Sequence, residues 1–179
     1  MPNTKAVGVA FSDPELVAGT TITGATITGA TLDSTTKVLS NIYTGYSESQ
    51  QGATIAVTTG GTNDVFLIVA SAGVLTSALF SGTDTLAAND TNYITFSITN
   101  LGQAGSGSAA MLAATDANTT KATGGTAITA NAKRSLTLNG TAANLVVADG
   151  DRLRIRATVS GTLANTVTFP VYNLEFSVS

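Results

Sequence analysis

Carboxylates grouped at turns are the first side chains in this 179-residue sequence that suggest chemistry. Asp149-Gly150-Asp151 sets two of them two positions apart, and Asp84 and Asp90 flank another loop. Calcium takes six or more oxygen ligands, and neither an EF-hand loop nor a glycine-rich calcium repeat surrounds these residues. A glycosidase acid and base can also be drawn from such a pair. With no Trp and only 6% aromatic residues, however, little is available to stack a sugar ring. The expectation is ordinary turn chemistry, in which an Asp side chain bonds nearby backbone N–H groups.

The sequence contains no His and no Cys. That removes the usual general base, the thiolate nucleophile and the usual zinc ligands. Serines are plentiful but have no His to activate them. Gly60-Gly61 and Gly124-Gly125 lack the Lys-Ser/Thr pair that completes a phosphate loop, so they read as turns. No catalytic residue, cofactor site or metal site is expected, and the chain is not expected to be an enzyme.

Arg152, Arg154 and Arg156 carry the most specific charge pattern, because a period of two aligns three guanidiniums on one face of a strand. Two readings compete. In one they form an interface stripe that meets an acidic partner surface or a carboxylate of a neighbouring subunit. In the other they are the solvated outer face of an edge strand, protected by charge against mispairing. Lys133 and Arg134 are candidates to extend the stripe. The chain as a whole has a net charge of −3, which leaves no field to hold phosphates, so nucleic acid is not an expected partner.

The elements that position these residues are read as all-β. Only 11% of residues are charged while mean hydropathy is +0.28, and Thr, Ala and Gly dominate. That composition has too few charged helix formers to clothe amphipathic helices, whereas Thr and Val suit pleated strands. Candidate strands are 53–59, 64–70, 73–80, 92–99, 108–114, 126–130, 134–138, 145–148, 151–160 and 166–178; 108–114 reads equally as a short helix. Ile94, Phe96 and Ile98 alternate with polar neighbours, as do Leu153, Ile155, Ala157 and Val159. Val65 to Val69 is continuously apolar, which suits a strand covered on both sides, either central or at a subunit contact. In the last segment the apolar phase slips by one residue, which predicts a bulge near Pro170. Strands 151–160 and 166–178 are expected to form a closing hairpin. Eight to ten short strands of this kind suit a jelly-roll-like β-sandwich over residues 43–179.

Ahead of that domain a five-residue repeat runs from Leu16 to Thr35 and brings Val17, Ile22, Ile27 and Leu32 to one position, with Gly or Ser at another. Residues five apart fall on opposite faces of a flat strand, and four pentapeptides make only one coil of a solenoid with nothing to stack on. Two readings are left: a flexible Thr/Gly linker that happens to be repetitive, or, preferred because the apolar position is kept in all four repeats, several copies wound about a common axis with these four side chains as the shared core. Residues 16–42 are therefore read as the stem of a homotrimer, and residues 1–15 as an N-terminal arm. Met1 to Ser12 has no run long enough for a signal h-region, and Val65 to Ala70 is far too short to cross a bilayer, so no membrane partner is expected.

The arm "MPNTKAVGVAFSDPE", the repeat "LVAGTTITGATITGATLDST" and the closing segment "GDRLRIRATVSGTLANTVTFPVYNLEFSVS" together resemble the trimeric capsid decoration proteins of tailed bacteriophages, also called cement or head-fibre proteins. That resemblance implies a structural virion protein on the outer capsid surface, with the major capsid protein as partner and a role in tying capsomers together. Within it, Val7, Val9 and Phe11 alternate along the arm and are candidates to anchor it by adding a strand to a capsid sheet edge. The alternative is a receptor- or carbohydrate-binding module of a phage tail fibre, which needs a cleft lined by aromatic and polar groups.

Overall fold

A computed structural model describes residues 45–178. The arm, with Val7, Val9 and Phe11, and the repeat, with Val17, Ile22, Ile27 and Leu32, lie outside the described residues. The strands are β1 (Gly45–Gln51), β2 (Thr62–Ile68), β3 (Gly73–Ser81), β4 (Tyr93–Asn100), β5 (Ala109–Ala110), β6 (Arg134–Ser135), β7 (Val146–Val147), β8 (Arg152–Ser160) and β9 (Val171–Val178).

These strands form two antiparallel sheets, one ordered β1-β9-β3-β6 with β7 also paired to β3, the other ordered β2-β8-β4-β5. The domain is an all-β sandwich, as expected. Each long strand shows one apolar face. In β4, Ile94, Phe96 and Ile98 are buried; in β8, Leu153, Ile155, Ala157 and Val159; in β9, Tyr172, Leu174 and Phe176. Alternation in the sequence thus becomes two inner faces that meet in one core. The Phe80 ring of the first sheet lies 4.6 Å from Phe96 of the second and 5.3 Å from Tyr172.

The expected closing hairpin does not form. β8 pairs with β2 and β4, whereas β9 pairs with β1 and β3, so the two strands belong to different sheets. Gly161, at φ 66°, turns the chain out of β8, and the segment that follows crosses to the other sheet, with Val167 bonded to Ile55 through both backbone groups. Two strands that each own one apolar face can bury them against each other across a sandwich as well as side by side, and periodicity alone does not separate the two cases.

Near Pro170 the phase slip is real but takes the form of a break rather than a bulge. Phe169 adopts φ 46° and is exposed, and ladder pairing begins only at Val171. Among the described residues, the ladder register shifts between Leu75 and Ser77 of β3, opposite Phe176 and Glu175. Residues 53–59 and 126–130 contribute only the single bridges Ile55–Val167 and Leu86–Ile128, and 108–114 shortens to β5 with a bridge at Leu112. Strand β1 was not expected from its sequence, GYSESQQ, which has no apolar alternation.

Candidate functional site

Arg152, Arg154 and Arg156 alternate along β8 with the buried Leu153, Ile155 and Ala157, and so share its outward face. Their neighbours differ. Arg156 faces Asp64 of β2 across the ladder, and the guanidinium donates through Nε to Oδ1 at 2.5 Å and through Nη2 to Oδ2 at 2.6 Å. That fork holds the Asp64 carboxyl below the usual carboxylate range. Arg152 sets its guanidinium 5.2 Å over the Phe66 ring. Arg154 lies between them, opposite Phe66 on β2 and Thr99 on β4, and its Nε is sealed from water with no acceptor among the described residues. The stripe is therefore not three free charges: one is neutralised within the domain. Nor is it edge protection, because β8 is flanked by β2 on one side and β4 on the other.

Among the described residues β2 is the edge strand of that sheet, not the central strand considered for Val65 to Val69. Val65, Leu67 and Val69 turn into the core, while Phe66 and Ile68 face outward at 48% and 59% exposure. Two large apolar side chains beside Arg152 and Arg154 make a mixed patch of the kind that subunit contacts bury, where aromatic and Arg side chains are enriched.

Arg134 does not extend the stripe. It is 8% exposed and turned inward, its guanidinium 5.1 Å from the Phe96 ring and donating through Nη2 to the carbonyls of Ala117 and Thr119 at 3.0 and 2.6 Å. Burial lowers it to about 10. A period of two from Arg134 through Leu136 to Leu138 already puts the arginine in phase with apolar residues; that signal was present in the sequence. Lys133, its neighbour, is exposed.

Of the carboxylates, Asp151 shows the expected local turn bonding, whereas Asp84 and Asp90 tie their loop to segments 84 and 33 residues away. Asp151 is buried and accepts from Asn100 Nδ2 and Ala148 N, each at 2.8 Å. Asp84 accepts from the Thr168 hydroxyl and N–H, and Asp90 from the Thr123 N–H; both carboxyls are held low by these bonds. Among the described residues no group of three or more metal-ligating side chains occurs, and no helix is long and apolar enough to cross a membrane. Of the tyrosines described, Tyr46 stacks on Phe176 at 4.9 Å, Tyr172 is buried, and Tyr93 is covered by the Lys121 ammonium 5.0 Å from its ring.

No protein-family model and no curated protein matches the chain. Among solved structures it is similar to one described as "Cyanophage Pam1 capsid asymmetric unit", at 14% identity and a TM-score of 0.39, over 90% of this chain and 99% of that one. A likeness that distant carries no inference of its own.

Proposed function

We propose that this chain is a structural virion protein, a homotrimeric decoration or cement protein on the outer surface of a phage capsid, with the major capsid protein as its partner and no catalytic role. The observation that carries the reading is the outward patch of Phe66, Ile68, Arg152 and Arg154, an apolar and cationic surface built for contact on a domain with very little charge elsewhere. The strand connectivity supports a jelly roll: β1 pairs with β9, β2 with β8, β3 with β6 and β4 with β5, a long hairpin rolled up until β9 meets β3 and β8 meets β4. Its N-terminal repeat supports the trimer, since Val17, Ile22, Ile27 and Leu32 need sister chains to become dry. In this reading Val7, Val9 and Phe11 anchor the arm to the capsid.

Purified protein incubated with capsids that lack it tests the reading. Saturable binding at symmetry-related positions supports decoration, and binding to host cells instead of capsids overturns it. The tail-fibre alternative has one feature in its favour, a cleft of about 340 Å³ along β4 lined by Tyr93, Thr95, Ser97 and Asp116. Against it, Lys121 already occupies the tyrosine face that a sugar ring needs.

A further inference from the structure

We infer that the outer edge of β2, from Asp64 to Ile68, accepts an extended segment of another protein as an added strand, and that this segment carries carboxylates on its outward face. The inference deepens the virion reading and rests on it for the identity of the partner alone: there the segment belongs to the major capsid protein.

The backbone fixes which groups that edge offers. In an antiparallel ladder, residue pairs that exchange both backbone bonds alternate with pairs that exchange none. Two bonds bracket the β2–β8 ladder: the Val159 N–H donates to the Gly61 carbonyl at 2.9 Å, and the Val69 N–H to the Asp151 carbonyl at 2.8 Å. The register between them is unbroken, so odd-numbered residues of β2 turn their N–H and C=O towards β8, while Asp64, Phe66 and Ile68 turn theirs away from it. Among the described residues nothing bonds to these outward backbone groups. β2 also contains no Pro and no Lys to blunt its edge, which leaves a template for strand addition.

Side chains at the same positions give the chemistry of the guest. Phe66 and Ile68 present apolar surface outward, and Asp64 is already forked by Arg156. Arg152 leans from β8 over the Phe66 ring, which carries positive charge onto the edge strand. Neither Arg152 nor Arg154 is in an ion pair among the described residues, where the pairs are Lys121–Asp116 and Arg156–Asp64. An added strand would lie about 4.8 Å from β2, its outward side chains alongside Phe66 and Ile68. Glu at such a position can lay its methylenes on the apolar pair and direct its carboxylate towards the two guanidiniums. A second copy of this chain fits less well, because the acid on its β2, Asp64, is held by its own Arg156, and Arg152 and Arg154 of both copies would stay without a counter-charge.

Amide hydrogen exchange of the full-length protein alone is the first test. The amides of Asp64, Phe66 and Ile68 are expected to exchange at least about tenfold faster than those of Val65, Leu67 and Val69. Protection of all six means that the protein's own copies fill the edge, and overturns the proposal. A blocked nonapeptide of alternating Val and Glu should then slow exchange at the three outward amides and shift their resonances saturably, with half-saturation in about the millimolar range. No response to it, or an equal response to a Val/Lys peptide or to a Val/Glu peptide N-methylated at every residue, overturns the proposal. These measurements need no capsid and stand whatever becomes of the virion reading. With capsids that lack the protein, Ile68→Pro removes an N–H that no ladder bond uses. It should bind at least about tenfold more weakly than Ile68→Ala, with a Tm within a few degrees of that variant; equal binding by the two also overturns strand addition.

Discussion

Arg156 and Asp64 face each other across the β8–β2 ladder and join through two charge-assisted hydrogen bonds, Nε to Oδ1 at 2.5 Å and Nη2 to Oδ2 at 2.6 Å. Both side chains remain in touch with solvent, so the pair is worth what partly exposed ion pairs are worth, with some gain from its bidentate geometry. Asp64→Asn is expected to cost about 0.5–1 kcal/mol in urea unfolding, and the double variant with Arg156→Gln to cost less than the sum of the single changes.

The same residue sets part of the acid sensitivity. Asp64, Asp84 and Asp90 titrate below their ordinary value when folded, through the Arg156, Thr168 and Thr123 bonds respectively. As pH falls, the unfolded chain therefore takes up protons before the folded one. The stability these groups contribute is complete above the unfolded value of about 4 and is lost below it. Urea midpoints should be nearly flat from about pH 7 to 5 and fall below about pH 4, with a shallower fall in Asp64→Asn; a midpoint that rises on acidification contradicts the assignment.

Phe80 joins the two sheets through Phe96 and packs on Tyr172 of its own sheet. Phe80→Ala should cost about 3–5 kcal/mol by chemical denaturation, because the sandwich closes only partly around the hole. A loss below about 1 kcal/mol would mean that this ring is not central to the core.

Gly161 and Gly102 both hold positive φ, at 66° and 64°, but only Gly161 is crowded. A Cβ there would lie 2.0 Å from Asn92 Oδ1 and 2.7 Å from the Thr91 carbonyl oxygen, whereas at Gly102 it meets open space. Gly102→Ala should cost about 1–2 kcal/mol from the left-handed backbone alone. Gly161→Ala should cost clearly more, and equal losses would argue that the turn out of β8 can rearrange.

The outward patch makes the opposite kind of prediction. Phe66→Asp and Arg154→Glu are expected to leave Tm within a few degrees of wild type, because neither side chain enters the core. Each should lower binding to capsids at least tenfold, about 1.4 kcal/mol. Unchanged capsid binding in both variants would remove this surface from the interface.

How much of this was readable from sequence depends on the physics of each element. Strands β4 and β8 were plain, because one buried and one wet face force strict alternation. β1 was not: its residues are polar, and it exists because β9 offers it a ladder. The outward direction of the arginines followed from period two, but the Asp64 partner did not, since residues 92 positions apart become neighbours only when β2 and β8 pair. Arg134 was misread for a related reason. Its phase with Leu136 and Leu138 pointed inward, but a charge beside Lys133 invites the assumption that both stay in water. Phe66 and Ile68 sat inside an apolar run that periodicity could not divide into inner and outer faces.

The proposed function depends most on self-association, because the spacing of Val17, Ile22, Ile27 and Leu32 in the sequence is read as the shared core of a trimer stem. Static light scattering of the purified full-length protein measures this directly. A mass close to three times 17.9 kDa is the predicted result. A mass of a single chain across the accessible concentration range would contradict it.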